Sequence, residues 1–155
     1  MAYGDKRILM VCLGNICRSP MAEGILRHKA KLSGISVDID SAGTADYHVG
    51  EEPDHRAIRC LKSHGIDISG LRARQFSRRD FDTFDMIYTM DASNHKNVLA
   101  LANNDDQKNK VKMILNENNP GSDAPVPDPW PGGMDDFEAV YEMLSEACDE
   151  VIRKL

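Results

Sequence analysis

The string Cys12-Leu-Gly-Asn-Ile-Cys17-Arg18-Ser19 places two thiols, a guanidinium and a hydroxyl within eight consecutive residues. An ionised thiol is a strong nucleophile, and a guanidinium presents a planar fork that fits two oxygens of a phosphate. Gly14 and Asn15 tolerate the left-handed backbone that turns consecutive amides toward one point. If a helix begins where the string ends, the N–H groups of Leu13, Gly14, Asn15, Ile16, Cys17, Arg18 and Ser19 converge at the positive end of its dipole, the arrangement that binds an oxyanion. Cys12 then lies at the base of the cradle, where an anionic sulfur is favoured. Even full ionisation raises the thiolate population of an ordinary cysteine at neutral pH only about 30-fold. Most of the rate must therefore come from holding the equatorial oxygens of a phosphoryl group in flight, the task of the amides and Arg18.

The neighbouring segments can build that cradle. Arg7–Cys12 is a continuous apolar run, the pattern of a central parallel strand covered on both faces. Ser19-Pro20 offers a helix start, with Ala22, Ile25, Leu26 and Ala30 following before Gly34. The periodicity further predicts strands over residues 35–41, 85–90 and 111–115, and a helix over 53–64. It also predicts a short helix over 80–84 capped by Ser77 and one capped by Asp91 that carries Val98, Leu99 and Leu101. Phe137, Val140, Tyr141, Leu144, Cys148 and Val151 mark a last helix. Between residues 116 and 133 the composition turns to Pro, Gly, Asn and Asp, a long loop of the kind that is usually functional. The expected architecture is an α/β three-layer sandwich: a four-stranded parallel sheet with helices on both faces, ligands lying beyond the carboxyl ends of the strands.

Residues 1–155, at 17.3 kDa, suit one domain, and 41% apolar against 28% charged residues is a globular composition. A net charge of −6 disfavours non-specific attraction to nucleic acid or an anionic membrane, so any anion site is local. No apolar stretch approaches the roughly 20 residues of a membrane helix, and no leader pattern opens the chain, so a cytoplasmic location is expected. The four cysteines are expected to be reduced, with Cys60 and Cys148 on apolar helix faces. His28, His48, His55, His64 and His95 show no metal-ligand spacing together with the acids, so no metal or other cofactor is expected.

The setting VCLGNICRSPMAEG, with Ser41-Ala-Gly-Thr44, Ala73-Arg74-Gln75, Phe84-Asp85, Met90-Asp91-Ala-Ser-Asn94 and Asp128-Pro129, resembles the low molecular weight protein tyrosine phosphatase family over most of the chain. The resemblance implies a flavodoxin-like strand order 2-1-3-4. It makes Cys12 the nucleophile, Arg18 the phosphate clamp, Ser19 a hydroxyl donor to the sulfur, Ser41 a support for Asn15, and Asp128 the general acid and base. Asp128 is also set apart by its own surroundings: Pro127 and Pro129 restrict its backbone. An acid that must start protonated implies a bell-shaped rate profile with an acidic optimum. Leu13, Ile16, Tyr47, His48 and Trp130 are the candidate walls of an aryl slot, with Trp130 also placed to exclude water. Cys17 could form a reversible disulfide with Cys12.

Two departures stand out. Leu71 occupies a position where many relatives carry a histidine that supports the loop asparagine, and Trp130-Pro131 stands where relatives often carry two aromatics. Arg72, Arg74, Arg78 and Arg79 form a basic cluster read as a solvated face. The partners implied are a phosphotyrosine protein as substrate and phosphate, sulfate or vanadate as inhibitors, acting on a monomer or weak dimer. Other readings are open. A sugar-transport phosphocarrier also uses a loop cysteine on a similar sheet, but it keeps its phosphocysteine for transfer and has little use for Arg18 and a hydrolytic acid. A thiol-dependent arsenate reductase shares the fold but needs further cysteines, and none occurs between Cys60 and Cys148. Phosphoarginine phosphatases tend to carry threonine in place of Ile16, and a non-catalytic phosphopeptide-binding module needs no nucleophile and acid together.

Overall fold

A computed structural model describes residues 6–155. Strand β1 (Lys6–Cys12) is buried over its last five residues and pairs in parallel with β2 (Val37–Gly43) on one side and β3 (Met86–Thr89) on the other. Strand β4 (Val111–Met113) pairs with β3, giving the order β2-β1-β3-β4 expected from the sequence. Among the described residues six α-helices accompany the strands: α1 (Arg18–Leu32), α2 (His55–Ser63), α3 (Asp80–Thr83), α4 (Ala92–Leu99), α5 (Asp105–Lys108) and α6 (Met134–Arg153).

The two faces of β1 divide the core, because successive side chains of a strand point to opposite sides. Ile8, Met10 and Cys12 pack with Met21 and Ile25 of α1, Ala57 and Leu61 of α2, and Phe137, Val140 and Leu144 of α6. Leu9 and Val11 pack on the other face with Phe81, Phe84, Ile87, Val98 and Val111. Cys12 therefore ends the strand on the α1 side, under the start of that helix.

Several boundaries differ from the sequence expectation. Helix α1 begins at Arg18, with Cys17 as a cap that makes no side-chain hydrogen bond. Pro20 sits within the first turn, where a missing N–H costs nothing, and the Ser19 hydroxyl is turned away from capping. Ser77 does not cap α3; instead its N–H donates to the Asp80 carboxylate at 2.9 Å. Strand β4 is shorter than expected because the chain bends after Met113 into a 3-10 turn (Ile114–Glu117). Helix α5 is one turn of residues with none buried, so it leaves no apolar periodicity to detect. Asp91 does cap α4, accepting the Asn94 N–H at 2.8 Å.

Candidate active site

The chain leaves β1 at Cys12 and enters α1 at Arg18, and the turn between them is fixed by residues from both sides of the sheet. Asn15 has a φ of 59°, the left-handed conformation expected of it. Gly14, expected to share it, does not; its lack of a side chain serves close packing instead, since a Cβ there lies 3.0 Å from Cδ2 of His48. Gly43, at the end of β2, is equally constrained: an added Cβ meets the Leu13 carbonyl oxygen at 2.7 Å. Thr44 and Ala45 donate to the carbonyls of Cys12 and Leu13 at 2.9 and 3.0 Å, and Asp54 donates to that of Ile16 at 2.8 Å. The turn is thus held by backbone bonds along its length.

Cys12 is buried, with its Sγ 3.0 Å from Ser19 Oγ and 3.3 Å from the Asn15 nitrogen, whose N–H donates to it. Hydrogen bonds to sulfur stabilise it as an anion and as a leaving group. Behind the turn, Asn15 Nδ2 donates to Ser19 Oγ at 2.7 Å and Ser41 Oγ at 2.9 Å, while its Oδ1 accepts the Arg74 N–H at 3.0 Å. The Ser41 hydroxyl in turn donates to Glu23 Oε1 at 2.6 Å. Leu71 packs against the core, and Asn15 is supported by serines and a backbone N–H.

Arg18 is buried, and its Nη1 donates to Asp91 Oδ2 at 2.8 Å and to the Val126 carbonyl at 2.9 Å. Among the described residues its Nε and Nη2 meet no protein acceptor, and these are the groups a bidentate phosphate uses. Val126 is itself pinned, its N–H donating to the Met90 carbonyl at 2.7 Å. The loop bearing Asp128 is thereby attached to the end of β3 and to the guanidinium together.

A cavity of about 180 Å³ opens above the turn, lined by Cys12, Leu13, Gly14, Ile16, Cys17, Arg18, Tyr47, His48, Asp128 and Trp130. A space of about 150 Å³ accepts one benzene ring, so this one suits a single aryl group over its floor. Every lining residue is one expected from the sequence, and Asn15, Ser19 and Ser41 lie behind the floor. Asp128 is exposed at the mouth, its Oδ1 accepting the Trp130 N–H at 3.1 Å, and Pro129 beside it is buried. Trp130 and Tyr47 are 55% and 70% exposed and stand at the rim of the cavity. Burial pushes the Cys17 thiol well above its ordinary range, with Asp54 adding to the effect. A larger hollow of about 700 Å³ near α4, β4 and residues 116–123 shares no residue with this site.

Four contributors escaped the sequence reading in these roles. Glu23 is a buried carboxylate within the run Met21–Leu26, a signal that was available in the sequence. Asp91 was seen as a helix cap, and nothing local reveals that its second oxygen holds Arg18. Arg74, placed in a solvated cluster, instead pairs with Asp40 and Asp80. Arg56 donates to the carbonyls of Trp130 and Gly132 at 3.0 and 2.8 Å and so clamps the loop beyond Asp128.

Residues 7–155 match the family model described as low molecular weight phosphotyrosine protein phosphatase. The chain is 41% identical over 154 residues to the low molecular weight phosphotyrosine protein phosphatase of Rattus norvegicus, covering 97% of this chain and 96% of that one. It is 40% identical over 152 residues to the corresponding human protein, covering 96% and 95%. The crystal structure of a protein tyrosine phosphatase from Entamoeba histolytica superposes with a TM-score of 0.91 at 34% identity, covering 97% of this chain and 96% of that one. A buried thiol and guanidinium under an aryl-sized cleft are what such an enzyme requires, and the chain belongs to the low molecular weight phosphotyrosine protein phosphatase family.

Proposed function

We propose that the cleft takes the phosphorylated side chain of a tyrosine, with the phosphate on the 12–18 turn and the ring between Tyr47 and Trp130. The supporting observation is the position of Cys12 Sγ, at 3.3 Å from the Asn15 nitrogen and 3.0 Å from Ser19 Oγ, on the floor of a cavity that Arg18 and Asp128 also line. The sulfur anion forms a bond to phosphorus as the bond to the phenolic oxygen breaks, and Asp128 gives its proton to that oxygen. Water then attacks phosphorus, Asp128 takes a proton from it, and the sulfur leaves as thiolate. Arg18 and the turn amides hold the transferring oxygens throughout, so phosphate, sulfate and vanadate compete for the same cradle. One chain of 155 residues supplies every group, and the cytoplasm is its proposed site of action.

The role of Asp128 has a direct test. Asp128→Ala slows hydrolysis of phenyl phosphate far more than that of p-nitrophenyl phosphate, whose leaving group needs little help; equal losses remove Asp128 from the role. A redox switch belongs to the same reading. Peroxide converts the Cys12 thiolate to a sulfenic acid, and the Cys17 thiol displaces water from it to form the disulfide. Mass spectrometry after mild peroxide checks this: a Cys12–Cys17 link is expected, and accumulation of sulfinic acid without it refutes the switch.

A further inference from the structure

Away from the cleft, α2 and α6 bring a thiol, an imidazole and a carboxylate to one point. Cys60, His64 and Glu138 each offer one ligand atom, and these atoms all lie within 4.8 Å of one another. His64 Nε2 is 3.0 Å from Glu138 Oε2 and 3.3 Å from Oε1, and Cys60 Sγ is 3.4 Å from Oε1. In a tetrahedral zinc site with Zn–S near 2.3 Å and Zn–N and Zn–O of about 2.0–2.2 Å, adjacent ligand atoms stand roughly 3.3–3.6 Å apart. The separations of Glu138 Oε1 from His64 Nε2 and from Cys60 Sγ, 3.3 and 3.4 Å, match that range, and Sγ and Nε2 lie within 4.8 Å of each other. We propose that Cys60, His64 and Glu138 form a binding site for a divalent transition ion of zinc's softness, with water in the fourth position.

The surroundings fit such an ion. Cys60 is fully buried, while the His64 and Glu138 side chains are 29% and 41% exposed, so the site has a protein floor and a solvent entrance. The ring of Tyr141 stacks on His64 at 3.7 Å and 9°, fixing its plane with Nε2 toward Glu138. Binding replaces the S–H bond by an S–metal bond and releases the proton to solvent. Cys60 and His64 lie one helical turn apart and Glu138 far along the chain, so the three show no common ligand spacing in the sequence. Since α2 also carries Arg56, the ion ties α6 to the helix that clamps residues 130–132.

Cobalt and zinc titrations of the full chain test the site, in a Cys12→Ser background so that the active-site sulfur does not compete. Stoichiometric cobalt should develop a thiolate charge-transfer band, displaced by zinc and lost when Cys60→Ala is added. Glu138→Gln, at a half-exposed position, should weaken zinc at least about tenfold, beyond any change in the metal-free melting curve from the lost His64 and Cys60 bonds. Zinc should raise the melting temperature of the Cys12→Ser protein and not of the Cys12→Ser/Glu138→Gln protein. Absence of the band, its survival in Cys60→Ala, or an equal zinc shift in both proteins overturns the assignment.

Discussion

The Ser19 hydroxyl and the Asn15 amide meet the same sulfur, so each contributes to a charge that forms twice in the cycle, before attack and after hydrolysis. A hydrogen bond to a charged group contributes about 1.5–3 kcal/mol. Ser19→Ala is accordingly expected to lower kcat by roughly 10–100-fold with little change in KM, measured by steady-state kinetics on p-nitrophenyl phosphate. Asp91 serves two partners at once, the Asn94 N–H and Arg18. Asp91→Asn keeps the cap and an acceptor for Arg18 but loses the charge, so it costs less stability than Asp91→Ala while kcat/KM falls. Asp91→Ala loses both, with about 1 kcal/mol of stability gone as well, which parallel melting and kinetic measurements separate. Cys12 and Arg18 stand out in the 12–19 string and Asp128 by its flanking prolines and the family resemblance, and the structure brings all three to one cavity. Glu23 and Asp91 were not legible as partners, since Ser41 and Arg18 reach them only through the fold.

Elements with long apolar periodicity, β1, α1 and α6, were readable to within a residue or two, and their burial on two faces of one sheet is what places Cys12 under α1. Helix α5 and the truncation of β4 were hidden because a single polar turn and a 3-10 bend carry no period. The contact between β2 and the turn is another property invisible in sequence alone. Gly43→Ala drives a Cβ toward the Leu13 carbonyl, and relieving such an overlap costs about 1–3 kcal/mol. That corresponds to a fall in Tm of roughly 2–12 °C for a chain of this size, with loss of activity as the turn shifts. At the start of α2, the side-chain hydrogen bonds from Arg56 hold the Asp54 carboxyl below its usual range. A depressed folded pKa means the stabilisation is present above the unfolded value, near ~3.9, and is lost as pH falls through the folded one. Asp54→Asn should therefore flatten the acid limb of the Tm-against-pH curve and leave the neutral limb parallel to that of the unmodified protein.

Across the whole molecule, the parallel sheet gathers the working groups at one end. Cys12 comes from the end of β1, Ser41 from the end of β2, Asp91 from just past β3, and Asp128 from the long loop pinned by Val126 to Met90. This is the crevice beyond the carboxyl ends of the strands in which α/β folds bind ligands. The net charge of −6 leaves anion recognition to the few cationic and amide groups inside it. The central claim is that phosphorus becomes bonded to the Cys12 sulfur. Rapid acid quench during turnover of p-nitrophenyl phosphate, followed by peptide mass spectrometry, measures this directly. A stoichiometric burst of p-nitrophenol is expected, with the phosphoryl group on the peptide containing Cys12; hydrolysis that persists in Cys12→Ser, or a phosphoryl group carried by another residue, contradicts a phosphocysteine.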